Sequence, residues 1–379
     1  MMKNSMKRLI AAAVTCVLLA AAILSFASCG QTDSTEIYIG ASGPLTGKAS
    51  TYGTSVQKGA ELAIEQINAA GGLNGLTFRF KMLDDQATTT QASANYDMLI
   101  DDGIKLSLGA VTTDACEAFG AKAVIDNLFY ITPSASAESV IKGRPNGYRI
   151  CFSDPQQGEI AATYITDNGY TNVGVIYNKD DSYSKGIYDA FSAKMEALGK
   201  SFTSRSFDND NATDFSSQVD ALKDCDVIFL PMYYEVASLI ASKAADKGCD
   251  ALLFGSDGLD GLADILASNV GNTIRYITPF DADSTDDTVK SFVDAYKAKY
   301  DGAIPDQFAA DGYDAVMTIY QALKKANLAD ASLSVSEFCE LLRKTLSSGD
   351  FTFKGVTGTM TWNADGVPTK SAQIKEIKR

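Results

Sequence analysis

Short apolar runs alternate along most of the chain with longer segments in which apolar residues recur every three or four positions. The first such unit runs from Ile37 to Gly72, where a short apolar run precedes a loop of small residues and then apolar residues at helical spacing. This pattern predicts a strand, a loop and a helix that begins near Thr54, with Thr54 and Gln57 as a capping box. The helix should end at the glycine pair 71–72.

The same alternation continues in two series, which restart after residues 148–152. Predicted strands cover residues 76–83, 105–108 and 128–132, then 173–177, 202–207, 227–230, 252–254 and 274–278. Predicted helices cover residues 88–100 and 114–126, then a helix from 156, 185–198, 213–222 and 236–247. Strands and helices that alternate at this pitch form βαβ units and parallel sheets. The pattern therefore predicts an α/β fold of two doubly wound parallel-sheet lobes.

The pattern changes beyond Pro279. It predicts helices at residues 287–299, 308–326 and 336–346, followed by a hairpin within residues 355–366. The chain contains no low-complexity linker, so we expect short hinge segments between the lobes, with a crossover near Ser153. We place lobe 1 at residues 36–152 and 279–367, and lobe 2 at residues 153–278 and 368–379.

The first 28 residues are typical of an export signal. Basic residues at the start precede an uncharged run from Leu9 to Phe26, and Cys29 follows small residues at the expected cleavage point. This is the bacterial lipoprotein pattern, in which the cysteine is acylated and becomes the mature N-terminus. A run of about 18 apolar residues could instead be a plain membrane anchor. The position of Cys29 favours lipidation, with residues 29–35 as a polar tether.

Length and charge narrow the range of partners. About 350 residues remain after the signal, more than one core usually holds, which agrees with two lobes. The signal has three basic and no acidic residues, so the mature net charge is (33 − 3) − 47 = −17. Such an acidic chain is a poor partner for nucleic acid or an anionic membrane surface. We expect a monomer that binds no nucleic acid.

Several enzyme classes are excluded by composition. The chain has no histidine, which rules out Ser-His-Asp triads and zincin motifs. The five cysteines beyond residue 29 show no C-x-x-C spacing, and residues 182–185 match S-x-x-K without its partner motifs. Cys225 and Cys249 each precede a predicted strand, and either a disulfide or two buried free thiols fits them. We expect no catalytic, cofactor or metal site.

Hydroxyl side chains follow two predicted strands of the first lobe. Thr112 and Thr113 lie between a strand and a helix, and Ser134 and Ser136 follow the strand that ends at Thr132. Ligands of α/β sheets bind beyond the carboxyl ends of the strands, so the loop at 42–54 should also face them. A helix N-terminus with hydroxyls favours a carboxylate. Ordinary N-capping is the alternative for each residue, but several at one edge favour a ligand.

Six segments have a recognisable order and spacing: IGASGPLTGKASTYGTSVQKGAELAIEQINAAGGLNG (residues 39–75), LGAVTTDA, ITPSAS, NKDDSYSKG, PMYYEV and GSDG. Together they resemble the leucine/isoleucine/valine-binding family of ABC-transporter substrate-binding proteins. The resemblance extends over essentially the whole mature chain, and the first segment is its most specific part. It implies the type I periplasmic-binding fold, with a ligand cleft between two lobes that close by a hinge.

The resemblance also implies roles for individual residues. Thr113 lies where a serine hydroxyl binds the α-carboxylate of the ligand, and Ser134 and Ser136 lie in the loop that meets its carboxylate and ammonium. Asp257 replaces the glutamate that pairs with the ammonium and is one methylene shorter, which implies further closure, a bridging water or a different ligand. As an alternative, Asp257 is simply a turn residue. The other pocket residues are aromatic: Tyr52, Tyr183, Tyr233 and Phe308.

We therefore expect an exported solute-binding lipoprotein without enzymatic activity, held at the outer face of the cell membrane or in the periplasm. It would deliver an amino acid to the membrane subunits of an ABC permease. Because the implied pocket walls are aromatic and uncharged, the amino acid should be aliphatic or branched-chain. The alternatives are a binder of amides or other small amino-acid-like ligands, and a ligand-sensing receptor domain, which would need a signalling segment after Arg379.

Overall fold

The computed structural model describes residues 35–378. The first ten strands are β1 (Glu36–Gly43), β2 (Thr77–Asp84), β3 (Leu106–Ala110), β4 (Tyr130–Thr132), β5 (Gly147–Arg149), β6 (Val173–Asn178), β7 (Thr203–Phe207), β8 (Val227–Leu230), β9 (Leu252–Gly255) and β10 (Ile274–Thr278). The last three are β11 (Phe353–Gly355), β12 (Gly358–Met360) and β13 (Gln373–Glu376). The helices are α1 (Ser50–Ala69), α2 (Thr89–Asp101), α3 (Thr113–Ala123), α4 (Asp154–Asp167), α5 (Ser182–Ala197), α6 (Ser216–Leu222), α7 (Tyr234–Asp246), α8 (Asp287–Lys299), α9 (Gln307–Lys325) and α10 (Val335–Leu346).

The first lobe is built on a parallel sheet in the order β2-β1-β3-β4-β5. Helices α1 and α9 pack on it with their backbones in contact: a Cβ on Gly59 would lie 1.9 Å from the carbonyl oxygen of Ala309. Gly312 is equally confined, since its Cβ would lie 2.5 Å from the carbonyl oxygen of Val56. Glycine at both positions therefore brings the N-terminal ends of the two helices together at the lobe edge.

The second lobe has a six-stranded sheet in the order β13-β10-β9-β8-β6-β7. All its pairings are parallel except β13 with β10, which is antiparallel. The central strands β8 and β9 are buried along their whole length, as expected when helices cover both faces of a parallel sheet. The predicted α/β fold of two parallel-sheet lobes is confirmed.

Within residues 35–378 the chain passes between the two sheets three times, at residues 150–153, 279–286 and 361–372. The third crossing is fixed by buried contacts. The ammonium of Lys370 lies 3.1 Å from the carboxylate of Asp311 in α9, and the indole N–H of Trp362 donates to the carbonyl of Arg149 at 2.8 Å. The exact residue bounds of the lobes stay a prediction.

The predicted start of the first helix is wrong. Helix α1 begins at Ser50 and its N-cap Ala49 has no side-chain cap, so the capping box at Thr54 does not form. The Thr54 hydroxyl instead donates to the Ser50 carbonyl at 2.8 Å inside the helix. The helix extends towards its N-terminus because the side chain of Tyr52 is anchored by contacts to the other lobe, which a local pattern does not contain.

Other predicted elements lie within about three residues of their observed bounds, for example 213–222 against α6. The predicted hairpin is shifted: it consists of β11 and β12 and begins at Phe353. Strand β13 was not predicted.

Some predictions concern residues that the structure does not describe. The signal at 1–28, Cys29 and nearly all of the tether at 29–35 lie outside residues 35–378. Among the helices of the described range, none has the length and apolar character needed to cross a bilayer.

Cys225 and Cys249 are free thiols in the structure, so of the two alternatives the disulfide is not formed.

Candidate functional site

A small cavity lies between the lobes, beyond the carboxyl ends of strands from both sheets. Its volume is about 20 Å³. The lining residues are Tyr52, Val111, Thr112, Thr113, Ser134, Tyr183, Tyr233, Asp257, Gly258 and Phe308. Seven of the eight ligand-binding residues predicted from the sequence are in this set, and the eighth, Ser136, is not. The structure therefore brings the predicted residues together, while their ligand-binding role stays a prediction.

The lobe 1 wall is formed by the N-terminus of α3, which follows β3. Its N-cap residue, Thr112, has extended backbone geometry, but its hydroxyl makes no capping hydrogen bond and has no partner in the described chain. The alternative of ordinary side-chain capping is therefore wrong for Thr112. The first amide groups of α3 are left without a side-chain acceptor, and Thr113 lies in the same turn. Such an end favours a carboxylate.

The two serines after β4 have different environments. Ser134 lines the cavity and its hydroxyl donates to the carbonyl of Val111 at 2.7 Å, which ties together the two loops of lobe 1. Ser136 is fully buried beside the cavity, and its hydroxyl has no partner within residues 35–378. Both serines came from one predicted loop, but only Ser134 contributes to the wall.

The lobe 2 wall is organised by two parallel tyrosine rings and one carboxylate. The rings of Tyr183 and Tyr233 are stacked, with centroids 4.9 Å apart. The Tyr183 hydroxyl donates to Asp257 Oδ1 at 2.6 Å and accepts from the amide of Gly258 at 2.9 Å. The hydroxyl of Ser256 lies 2.6 Å from the same tyrosine oxygen. This network holds the Asp257 carboxylate in one orientation at the cavity.

The Asp257 carboxylate is buried and has no ion pair with any Lys or Arg of the described chain. Burial raises its pKa from 3.8 to about 6, and the hydrogen bond from Tyr183 only partly opposes this shift. The charged form of a buried carboxylate without a cation is unfavourable by several kcal/mol. A cationic group placed beside Asp257 would remove that penalty. Its backbone amide donates to Gln157 Oε1 at 2.9 Å, and Asp257 begins a short 3-10 turn, so both readings of this residue stay predictions.

Contacts across the cleft show that the lobes are closed. The Tyr52 hydroxyl donates to the carbonyl of Gly258 at 2.6 Å and accepts from the amide of Tyr234 at 3.1 Å. The Tyr234 hydroxyl donates in turn to Thr51 at 2.9 Å. On the lobe 1 side, the Tyr52 ring lies against Phe308, with centroids 4.3 Å apart. Tyr52 thus joins the first turns of α1, α9 and α7.

The closed cavity is too small for an amino acid. A volume of about 20 Å³ is close to what a single water molecule requires. Side chains or lobes must therefore move to admit a ligand. Among residues 35–378 no group of three or more Cys, Asp or Glu side chains could hold a metal ion.

Sequence reasoning missed Val111 and Gly258 as lining residues, and it considered Thr112 only together with Thr113. Val111 and Thr112 immediately precede Thr113, and Gly258 follows Asp257. The signal was therefore their position next to residues already named. Tyr234 was missed as the partner of Tyr52, because a contact across the cleft depends on how two lobes meet.

Two α/β lobes that close over a polar cleft define the class of hinged solute-binding proteins. The chain belongs to the periplasmic binding protein family, whose model matches residues 36–379. This is a family of solute-binding proteins of transporters and not of enzymes, so the expectation of a non-enzymatic protein is confirmed. The family also places the chain outside the cytoplasm.

Individual relatives agree with this assignment. A Leu/Ile/Val-binding protein homolog of Brucella melitensis is 31% identical over 352 residues, which is 91% of each chain. A leucine-binding protein of Thermotoga maritima has a TM-score of 0.80 at 26% identity, over 90% of this chain and 95% of that one. A branched-chain amino acid transporter substrate-binding protein of Streptococcus pneumoniae, in complex with isoleucine, has a TM-score of 0.78 at 29% identity, over 89% and 95%.

Proposed function

We propose that this chain is the solute-binding component of an ABC importer and binds a branched-chain or other aliphatic amino acid in the cleft between its lobes. The single observation that carries the proposal is the division of polarity across the closed cleft. An uncapped helix N-terminus with Thr112 and Thr113 lies on one side, and the buried, unpaired Asp257 lies on the other. The chain's similarity to proteins named for leucine, isoleucine and valine binding supports the choice of ligand.

A zwitterion matches this division. Its carboxylate would receive amide and hydroxyl hydrogen bonds from the start of α3, and its ammonium would pair with Asp257. Each charge would then leave water with a partner, whereas an unpaired buried charge costs several kcal/mol. The cavity residues include no Lys or Arg to accept a side-chain acid. The remaining walls, Tyr52, Tyr183, Tyr233 and Phe308, suit an apolar side chain.

Hinge closure supplies the remaining selectivity. The hydrogen bonds of Tyr52 to Gly258 and Tyr234 form only when the lobes meet. A ligand that contacts both walls binds the closed state better than the open state and shifts the population towards it. A permease can distinguish a loaded from an empty binding protein by this change of shape.

The anchor is a further part of the proposal. Cys29, diacylated and then exposed as the mature N-terminus by removal of residues 1–28, would hold the protein at the outer face of the membrane, close to its permease. Wild-type protein expressed in a bacterium that is fed labelled palmitate should carry the label, and a Cys29→Ala variant should not. Unlabelled wild-type protein in the membrane fraction would indicate a plain transmembrane anchor.

A thermal-shift screen tests the ligand. Leucine, isoleucine and valine should raise the melting temperature, because a ligand at 100 times its Kd adds about 2.7 kcal/mol of stability. 4-Methylpentanoate and isopentylamine each lack one charged group of leucine and serve as matched controls that should give much smaller shifts. If small amides stabilised the protein and no zwitterionic amino acid did, the amino-acid proposal would be wrong and an amide binder would replace it.

A further inference from the structure

A second buried carboxylate lies next to the candidate site. Asp154, the first residue of α4, is 1% exposed. The hydroxyl of Ser136 acts on this carboxylate, but neither oxygen of Asp154 makes a hydrogen bond of good geometry within the described chain. The side-chain nitrogen of Gln157, one turn along α4, has no partner there either. Buried polar groups normally have good partners, so this under-satisfied carboxylate points to a guest that is not part of the chain.

Asp154 has no capping role that would explain it. The start of α4 is already closed by a capping box, in which Ser153 accepts from the amide of Gln156 and Gln156 accepts from that of Ser153. An acidic residue in a first turn is favoured by the helix dipole. That benefit also exists for an exposed residue, and it does not account for burial of both oxygens.

Backbone contacts connect Asp154 to both walls of the cleft. Its amide donates to the carbonyl of Ser136 in lobe 1 at 3.0 Å. One turn later, Gln157 accepts from the amide of Asp257 at 2.9 Å. The cavity residue Tyr233 experiences the charges of both Asp154 and Asp257. The two carboxylates therefore lie around the same part of the site, although Asp154 does not line the closed cavity.

Within residues 35–378, Asp154 forms no ion pair of 4 Å or less. Arg149 is the cation whose charge acts on it, but two nitrogens of that guanidinium donate to the carbonyls of Ser136 and Ala137. The other charged groups that act on Asp154 are the carboxylates of Asp257 and Asp181. Gly186 also confines it, since a Cβ there would lie 2.9 Å from Asp154 Oδ2, so the carboxylate is held against α5.

We propose that Asp154 is a second cation-recognition residue, which shares the ligand's primary ammonium with Asp257 when the cleft is occupied. The hydroxyl of Ser136, which acts on the Asp154 carboxylate, completes this ammonium subsite. This inference rests on the proposed function for the presence of an amine in the ligand. It extends that function by requiring a primary amine at this position and by coupling binding to a proton.

The proton coupling follows from the surroundings of Asp154. Burial raises its pKa well above 3.8, the charges of Asp257 and Asp181 raise it further, and Ser136 and Arg149 only partly oppose this. The protonated form of Asp154 is therefore favoured in the empty protein compared with that of an exposed aspartate. A nearby ammonium favours the ionised carboxylate. Binding of an amine then releases a proton from Asp154, and affinity rises with pH.

Calorimetry with L-leucine tests the proposal. At pH 7.5 the wild type should release protons when it binds leucine, measured as different apparent enthalpies in phosphate and Tris buffers. Asp257 contributes little at this pH, because a group with a pKa of about 6 is only about 3% protonated there. Asp154→Asn should abolish the release and weaken leucine binding about 10- to 100-fold. Its affinity for 4-methylpentanoate should change less than about threefold.

Asp264→Asn is the matched control, because this exposed aspartate of lobe 2 loses the same charge far from the cluster. It should leave leucine affinity and proton release unchanged. Leucine binding with no proton release, or an unchanged leucine affinity in Asp154→Asn, would overturn the role of Asp154 and leave the proposed function intact.

A measurement on the empty protein is independent of leucine. In carboxyl carbon NMR of the aspartate-labelled protein, the signal that is lost in Asp154→Asn should belong to a carboxyl whose pKa is well above 3.8. If that signal titrated like an exposed aspartate, the proposal would be wrong whether or not leucine binds. Failure of every amino acid to bind, with the high carboxyl pKa present, would instead refute only the proposed function.

Discussion

The two walls of the cleft are built differently, although both belong to α/β lobes of similar design. The lobe 1 wall is uncharged, and its polarity comes from the start of α3 and from hydroxyls at Thr112, Thr113 and Ser134. The lobe 2 wall carries the carboxylate of Asp257, fixed by Tyr183. A wall made of amide and hydroxyl dipoles can bind an anion and needs no counter-charge when no ligand is present. A wall with a buried, ionised carboxylate needs a counter-charge even then. The comparison teaches that the two charges of a zwitterion would be recognised by two different physical means.

The largest effect should come from the carboxylate wall. In Asp257→Asn the ligand's ammonium enters the cleft without its main counter-charge, and breaking a buried pair in this way costs about 3–5 kcal/mol. Leucine affinity measured by calorimetry should fall by about 100-fold or more. Asp264→Asn serves as the exposed control with the same charge change. A loss below about fivefold would show that Asp257 is not the counter-charge.

The hydroxyl wall should contribute less per residue. Thr113→Val keeps the shape of the side chain and removes one hydrogen-bonding group, worth about 1.5–3 kcal/mol when its partner is charged. Leucine affinity should fall about 10- to 50-fold, because the amides of α3 remain. Thr163→Val, on the exposed face of α4, is the matched control. An effect as large as that of Asp257→Asn would contradict the distinction between the walls.

The stability of the empty protein and its stabilisation by leucine should respond to pH in opposite directions. Burial raises the pKa values of Asp85, Asp181 and Asp257 from 3.8 to about 6. A folded-state pKa above the unfolded value stabilises the fold as pH falls through the folded-state pKa. Protonation of these three aspartates therefore stabilises the fold, and the melting temperature of the empty protein should rise when the pH is lowered from 7.5 to 5.5.

The shift produced by leucine should move in the opposite direction, because protonated Asp257 no longer attracts an ammonium. The increase in melting temperature caused by leucine should be several times smaller at pH 5.5 than at pH 7.5. The loss should be smaller in Asp257→Asn, where Asp154 alone still couples leucine binding to pH. A leucine shift that grew on acidification would argue against a carboxylate as the ammonium partner.

The smallest effect should arise where the walls meet. Tyr52→Phe keeps the ring against Phe308 but removes the hydroxyl that bonds to Gly258 and Tyr234 across the cleft. The net loss of about 1 kcal/mol in the closed state lowers leucine affinity about fivefold. Small-angle scattering should show a larger mean radius for the empty variant. Tyr188→Phe, which loses a long bond to Ser204 on lobe 2, should leave both quantities unchanged.

Much of this architecture could be predicted from the sequence because it depends on local periodicity. Strands β8 and β10 and helix α8 have the predicted bounds, since apolar runs and helical spacing are properties of neighbouring residues. The positions of Thr113 and Asp257 followed from strand ends and from resemblance to a family. Within each parallel sheet, residues that follow the strands lie at one edge, and the resemblance implies that the edges of the two sheets face each other across a cleft.

What the sequence missed depends on contacts between distant segments. Helix α1 begins at Ser50 because Tyr52 is held by lobe 2, and Ser136 lies beside the cavity because its loop turns away after Ser134. Strand β13 has little apolar character and forms by pairing with β10. Asp154 looked like any acidic residue in a first turn, and only its burial without a partner distinguishes it.

A crystal structure of the protein with L-leucine would test the central claim most directly. We expect the α-carboxylate at the start of α3, within hydrogen-bond distance of the Thr113 hydroxyl and the first amides of the helix. The ammonium should lie beside Asp257, and the aliphatic side chain among Tyr52, Tyr233 and Phe308. A leucine bound in the reverse orientation, or outside the cleft, would contradict the division of recognition between the two walls.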